Sequence, residues 1–400
     1  MANLSAADQS AIEKVLAVKP SFQGIKAASD AVSMDKNTIL HAGPAFAKPA
    51  DITRPILNSA IVALVFEGVV SDFDTAEQMI LSGEAVLNPA QDYDVVIPLA
   101  ACVTSSFMLQ EIGDIGHSGR TAYTPINGGN SLGAMRLGVR TDKSLELVRW
   151  LNGEFAEALS GAFGDPISLL SIAKIGIEAG DDCHGRTPAA TAALAEALAP
   201  RLRNGQAAEK AAAFIKDSPS YFLNLWMASV RCMLRAASGT EDSSLLIGAG
   251  GNGAEVGIKI AGLPDRWFVA SADPPNHQMP EGIPEGRALG AIGDSAIVDA
   301  MGFGAMAMNF APEQKRVMLN LMPEDGLELP ALLLAALHPG FGDLGLCIGM
   351  AARTVVENGR QPVVSLGVLD NEGELGRVAG GVYSTPMTVF RDAISALEAA

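Results

Sequence analysis

The spacing of apolar positions changes character twice along this chain. Residues 5–17 carry apolar side chains at helical spacing behind Ser5, a good N-cap residue, and predict a capped helix. TILHAG at 38–43 reads as a short strand, and residues 55–83 read as two helices. DVVIPLAACV at 94–103 is almost continuously apolar, the pattern of a buried strand, whereas 113–138 is rich in Gly, Ser, Asn and Thr and reads as an ordered loop region. From about 141 to 240 the pattern is helical throughout, in LELVRWLNGEFAEALSGAF, ISLLSIAKIGIEAG, ATAALAEALAPRL and SYFLNLWMASVRCMLRAA. SLLIGAGGNGAEVGIKIAG at 244–262 returns to strand-like alternation broken by glycines. QPVVSLGVLDNEGE at 361–374 runs from strand into turn, and the last helix spans about 386–398. The predicted class is α+β, with a mixed α/β lobe over 1–140, an all-helical lobe over 141–240, and a second mixed lobe with Gly-rich loops over 241–400.

Composition supports burial and narrows the partners. The 400 residues exceed one ordinary core, and 48% apolar against 18% charged residues is not a disordered composition. The formal net charge of −17 opposes phosphate backbones and anionic lipid, so neither nucleic acid nor membrane is expected as a partner. A bound anion would need Arg or Lys gathered locally against that field. Cys102, Cys183, Cys232 and Cys347 form no C-x-x-C pair, which gives no zinc ribbon and reads as a reduced compartment. The N-terminal residues lack the pattern of a signal peptide, and the longest apolar run, about 56–70, contains Asn58 and Glu67. The expected location is the cytoplasm.

Three segments carry candidate chemistry. In AGDDCHGRT at 179–187, two acids, a thiol, an imidazole and a guanidinium lie close together between helices. His184 can act as a general acid or base oriented by Asp181 or Asp182, and Arg186 can clamp a carboxylate or phosphate. The structural alternative is a helix–helix corner in which the Asp residues cap and pair. In IGAGGNGAEVGI at 247–258, Gly248, Gly250 and Gly253 fit a dinucleotide fingerprint with Asp273 downstream, yet no clear helix follows, so a Gly-rich turn between strands competes with it. In LGAIGDSAIVDAMGFGAMAM at 289–308, Asp294 and Ser295 can cap a helix pointing at a ligand, while the rest reads as a core helix. Outside these segments, His41, Glu67, Asn127, Arg136, Asn224 and Arg266 are polar positions of note, and Asn224 sits in an apolar helical stretch where its amide needs partners. His41, His117, His277 and His338 show no metal-type spacing, so no metal site is read.

Taken in order, LHAGP, FEG at 66–68, GDDCHGR at 180–186, FLNL at 222–225, GIKIAGLPDRWF at 257–268, GDSAI at 293–297, VVENG at 355–359 and STPM at 384–387 resemble the YlbE-like family. That family includes the AllG subunit of oxamate carbamoyltransferase, which moves a carbamoyl group between oxalurate and phosphate in allantoin catabolism. The resemblance spans about residues 5–398 and implies an α+β architecture with a small helical domain. It implies an enzyme or enzyme subunit of carbamoyl- or acyl-transfer type, acting on a small amide or carboxylate, in an oligomer with FdrA-like and AllH-like subunits. It also implies the site residues: His184, Arg186 and Asp294 as catalytic, and Asn127, Asn224, Asn252, Gly253, Arg266 and Ser295 as substrate-binding. The resemblance leaves the cofactor unknown. This chain departs from the family at Gly251, at Asp370, Asn371 and Glu372, and at Ser384, where members carry cationic or titratable residues. Two alternatives therefore stand beside transfer: a non-catalytic assembly subunit, and a stand-alone amide or imide hydrolase with His184 as base.

Overall fold

The helix Tyr221–Arg235 is buried at every position except Leu223 and Arg235, as a helix apolar on all sides must be. The rest of the chain is arranged around it, in a computed structural model that describes residues 4–116, 119–202 and 205–400. Trp226 at its middle is fully buried, edge-on to Phe303 with ring centroids 4.9 Å apart and stacked against Phe222. On one side the Tyr221 hydroxyl donates to Gln110 Oε1 at 3.0 Å. On the other, the buried Arg231 pairs with Asp94 at 2.9 Å and donates to the carbonyls of Ile247 and Gln91.

The class is α+β. One antiparallel sheet orders the strands Thr121–Pro125, Met108–Asp114, Pro20–Ala27 and Ile167–Ser168. A second, also antiparallel, orders Leu263–Ser271, Glu255–Ile260, Leu246–Asn252 and Ile292–Gly293. Smaller sheets pair Thr38–His41 with Val86–Pro89 and Cys102–Val103, and Arg377–Ser384 with Val363–Leu369 and Asn276–His277. Among the described residues between 142 and 235, the elements are helices and helical turns apart from the two-residue strand Ile167–Ser168. The largest core draws on residues from Ala11 to Ile348, so these helices share their interior with both flanking stretches. His117 lies outside the described residues.

Residues 95–103 are buried and Asp94 is half-buried, but only Cys102–Val103 is strand. Pro98 cannot donate to a ladder, and Leu99 takes a positive φ of 47°. The backbone is satisfied otherwise: Val96 N–H donates to Tyr123 O, Ile97 N–H to the Asp294 carboxylate, and Ala100 N–H to Arg136 O. A dinucleotide fingerprint is likewise absent. Leu246–Asn252 is a fully buried strand that turns directly into its antiparallel neighbour Glu255–Ile260, with no helix to receive a pyrophosphate.

Its glycines serve backbone packing. A Cβ on Gly251 would lie 2.4 Å from the Ala291 carbonyl oxygen, and one on Gly43, where φ is 78°, would lie 2.3 Å from the Gly251 carbonyl carbon. The two substitutions Gly43→Ala and Gly83→Ala separate this close approach from the φ penalty. Gly83 also has positive φ, 83°, but nothing surrounds its missing side chain. Gly83→Ala should cost about 1–2 kcal/mol for the left-handed conformation, and Gly43→Ala about 3 kcal/mol or more once backbone displacement is added. Denaturant midpoints measure both; equal losses would show that the packing of 43 on 251 is slack.

Candidate functional site

The segment after the helix Leu169–Glu178 folds into a tight turn built on one carboxylate. Asp182 Oδ1 accepts the backbone N–H of His184 at 2.8 Å and of Arg186 at 2.9 Å. Gly180 and Cys183 take positive φ to make the turn. Asp181 accepts from Ala190 N–H at 2.9 Å and so secures the first turn of the helix Pro188–Leu198. Cys183 is fully buried, and burial, with the two neighbouring Asp charges, pushes its thiol well up; it is not a nucleophile.

His184 is nearly enclosed, 7% exposed, and its Nδ1 bonds Asp299 Oδ2. Asp299 lies on the short helix Ala296–Met301, and its other oxygen accepts Ala305 N–H at 2.7 Å and Ser365 N–H at 3.0 Å. A carboxylate held by backbone donors cannot follow the ring, so it fixes the imidazole and places the proton on Nδ1. Nε2 is then the nitrogen left for the cavity. Burial works against the imidazolium, but the charge and hydrogen bond of Asp299, with Asp182 behind, hold the His184 pKa above its ordinary value. Burial pushes Asp182 up to about 6, against the two backbone N–H groups that favour its ionised form.

His184 faces a cavity of about 270 Å³. Asn127, Arg186, Asn224 and Ser295 line it too, as do Arg136, Arg377, Gln314 and Ser365. The two amides form a fixed wall: Asn224 donates to Pro125 O and accepts from Asn127, which in turn accepts from Gly129 N–H. Arg186 is 40% exposed at its side chain, and its Nε is 3.8 Å from Asp181, a loose pair. Arg136 donates through Nε and Nη2 to Gly129 O and through Nη2 to Asn130. Arg377 donates through Nε to Ala379 O. Burial, then the charge of Arg377, pushes Arg136 down to about 10, and burial lowers Arg377 as well. Arg377 keeps accessible surface while being crowded by protein, as a side chain lining a cavity does.

The remaining expected site residues lie elsewhere. Asp294 is wholly buried and accepts from Gly43 N–H, Gln91 Nε2 and Ile97 N–H; it ties loops together and touches no cavity of this site. Asn252 closes the strand turn, accepting from Ala254 and Glu255 N–H and donating to Pro44 O. Gly253 supplies a φ of 87° at that turn, against Leu289. Arg266 is exposed and lies over the Phe268 ring, 4.8 Å from its centroid. A single cluster that includes the glycine-rich turn is therefore not formed, because that turn is spent on backbone packing. Conversely, Asp299 and Arg377 carried no expectation and belong to the site. An acid inside an Ala/Gly/Met-rich helix was the available signal for Asp299, since a buried carboxylate demands partners. Among the described residues, no three His, Cys, Asp or Glu side chains gather as metal ligands would, and no helix is long and apolar enough to cross a membrane.

The raised His184 pKa has a definite sign. Stability from the charged pair is complete below the unfolded value, about 6.5, and is lost as pH rises through the folded one. Ring-proton NMR should show His184 titrating above 6.5. Asp299→Asn, whose amide turns Nδ1 into an acceptor, should bring the midpoint below the wild-type one. An unchanged midpoint would mean that Asp299 does not hold the proton.

Residues 86–295 match the family described as oxamate carbamoyltransferase subunit AllG. The chain is 28% identical over 415 residues to the oxamate carbamoyltransferase subunit AllG of Escherichia coli (strain K12), covering 99% of this chain and 98% of that one. It is 29% identical over 410 residues to the uncharacterized protein YahG of the same organism, covering 98% and 85%. A crystal structure of a conserved protein of unknown function from Enterococcus faecalis V583 superposes with a TM-score of 0.91 at 25% identity, over 98% of this chain and 97% of that one. The matched span includes the Asp182 turn, the Tyr221–Arg235 helix and Ser295, and the chain belongs to the family of the oxamate carbamoyltransferase subunit AllG.

Proposed function

We propose that this chain is a catalytic subunit of carbamoyl-transfer type, in which His184 moves a proton on a small amide or carboxylate held in its cavity. One observation carries the reading: an imidazole oriented by a fixed buried carboxylate opens onto a polar cavity walled by stretches far apart in the sequence. Carbamoyl transfer from carbamoyl phosphate to an amide such as oxamate forms a bond from the amide nitrogen to the carbamoyl carbon and breaks that carbon's bond to the phosphate oxygen; phosphate leaves with the electron pair, and the nitrogen must lose a proton. Neutral His184, with its proton on Nδ1, can accept it at Nε2 and return it to the leaving nitrogen in reverse. Arg186 and Ser295 are the nearby donors suited to the oxyanion that develops on the carbamoyl carbon. The relative named as a subunit of oxamate carbamoyltransferase supports both the reaction class and its setting. In that setting the chain works in the cytoplasm as one component of an oligomer with FdrA-like and AllH-like subunits.

The test is steady-state transfer to oxamate by the assembled subunits. His184→Asn keeps a donor toward Asp299 and removes Nε2. It should lower turnover by about 10²–10⁴-fold, the usual contribution of a positioned acid–base group. Full activity in this variant would reduce the chain to an assembly role. Arg186→Lys preserves charge and removes the planar fork. Its loose pair with Asp181 predicts a stability change under about 1 kcal/mol, alongside a fall in turnover of roughly two to three orders of magnitude. Denaturant unfolding on the assayed sample separates the two effects, and unaltered turnover would remove Arg186 from the site.

A further inference from the structure

Among the described residues, the cavity wall contains Arg136, Arg186, Arg377 and His184 and not one Asp or Glu side chain. That is unexpected in a chain with 45 acidic and 28 basic residues. Elsewhere the acids find the arginines: Asp94 takes both Arg231 and Arg235, Glu77 takes Arg54 and Arg140, and three acids surround Arg287. Among the described residues Arg136 and Arg377 have no ion pair, and they are near enough for one charge to depress the other. Two guanidinium groups brought together without a counter-ion are costly to hold, unless the missing anion is a ligand.

Both side chains are aimed by neutral acceptors rather than neutralised. Gly129 O and Asn130 fix Arg136. Ala379 O accepts from the Nε of Arg377, and among the described residues both terminal nitrogens are left for a bidentate contact. The local sequence makes room for it: a Cβ at Gly367 would stand 3.3 Å from Arg377 Nε, and one at Gly380 3.1 Å from its Nη2.

We infer that Arg136 and Arg377 form an oxyanion subsite that grips the carboxylate or phosphate end of a small substrate while its reacting end meets His184. The placement of the reacting end rests on the function proposed above; the anion subsite does not. Arg377 is the specificity-determining member, because its free fork is the part that reads two oxygens at once. A neutral amide of the same size binds weakly here.

The experiment is calorimetric titration of the full chain with inorganic phosphate and, separately, with oxamate. Saturable one-to-one binding of either is expected: phosphate alone assigns the subsite to phosphoryl oxygens, and oxamate alone to a carboxylate. Arg377→Gln should weaken the binding about tenfold or more, with Arg377→Lys between it and the wild type. Arg266→Gln, at an exposed position outside the cavity, should bind as the wild type does. Denaturant midpoints check that each variant is folded, and Arg377→Lys serves if the Gln variant is not. His184→Asn should retain saturable anion binding while losing turnover, so a failure of the acid–base reading leaves this one standing. Absence of saturable binding for both probes, or undiminished binding in the folded Arg377 variants, overturns the subsite.

Discussion

A single buried carboxylate, that of Asp294, is what three distant stretches of chain have in common. One oxygen accepts Gly43 N–H at 2.9 Å and Gln91 Nε2 at 2.6 Å, and the other accepts Ile97 N–H at 2.9 Å. Gln91 passes the tie on to Ala249 O in the glycine-rich strand. Side chains would break it: a Cβ on Gly250 would stand 2.6 Å from Asp294 Oδ1. Burial pushes its pKa up to about 7 despite its donors, and its hydrogen bonds tie together the loops that carry those donors. The helix Ala296–Met301 starts two residues later. Ser295 at its head lines the cavity, and Asp299, one turn along, reaches His184. The site is therefore positioned by a residue that does not touch it.

This arrangement explains which parts were legible in the amino-acid pattern. Helices were, because a 3.6-residue period survives in a single segment: Ala6–Leu16, Arg54–Glu67, Phe73–Ser82 and the run from 142 to 235 all show it. Pro20–Ala27 did not show, since its register breaks at a bulge between Phe22 and Gly24 and its second half is only partly buried. Thr121–Pro125 was hidden in a stretch whose polar and glycine content signals loop. The 94–103 stretch erred the other way. An apolar run reports burial, not how the backbone N–H groups are satisfied, and here Asp294 and turns take them.

The same distinction governs the site. His184 and Arg186 were visible because their chemistry is concentrated in one turn. The partner of His184 lies 115 residues away, and Arg377 is an ordinary cation at the start of a strand until the fold sets it beside Arg136. The glycine-rich segment misled for a physical reason. Close approach of backbone to phosphate and close approach of backbone to backbone make the same demand on a sequence, an absent Cβ, and only the neighbouring elements tell them apart.

Electrostatic coupling joins the two halves of the cavity. The charge of Arg377 lowers the His184 pKa while Asp299 and Asp182 raise it, so the imidazole sits between opposing fields. In the subsite proposed above, an anion on Arg377 would offset that cation's influence on the imidazole. On that proposal His184 would be a better proton acceptor with the cavity occupied than with it empty. The global charge of −17 cannot produce this effect, because exposed charges beyond about 10 Å are screened by salt. The arginines lining the cavity act at shorter range, and on the reading proposed above anion capture and proton transfer would share one local field.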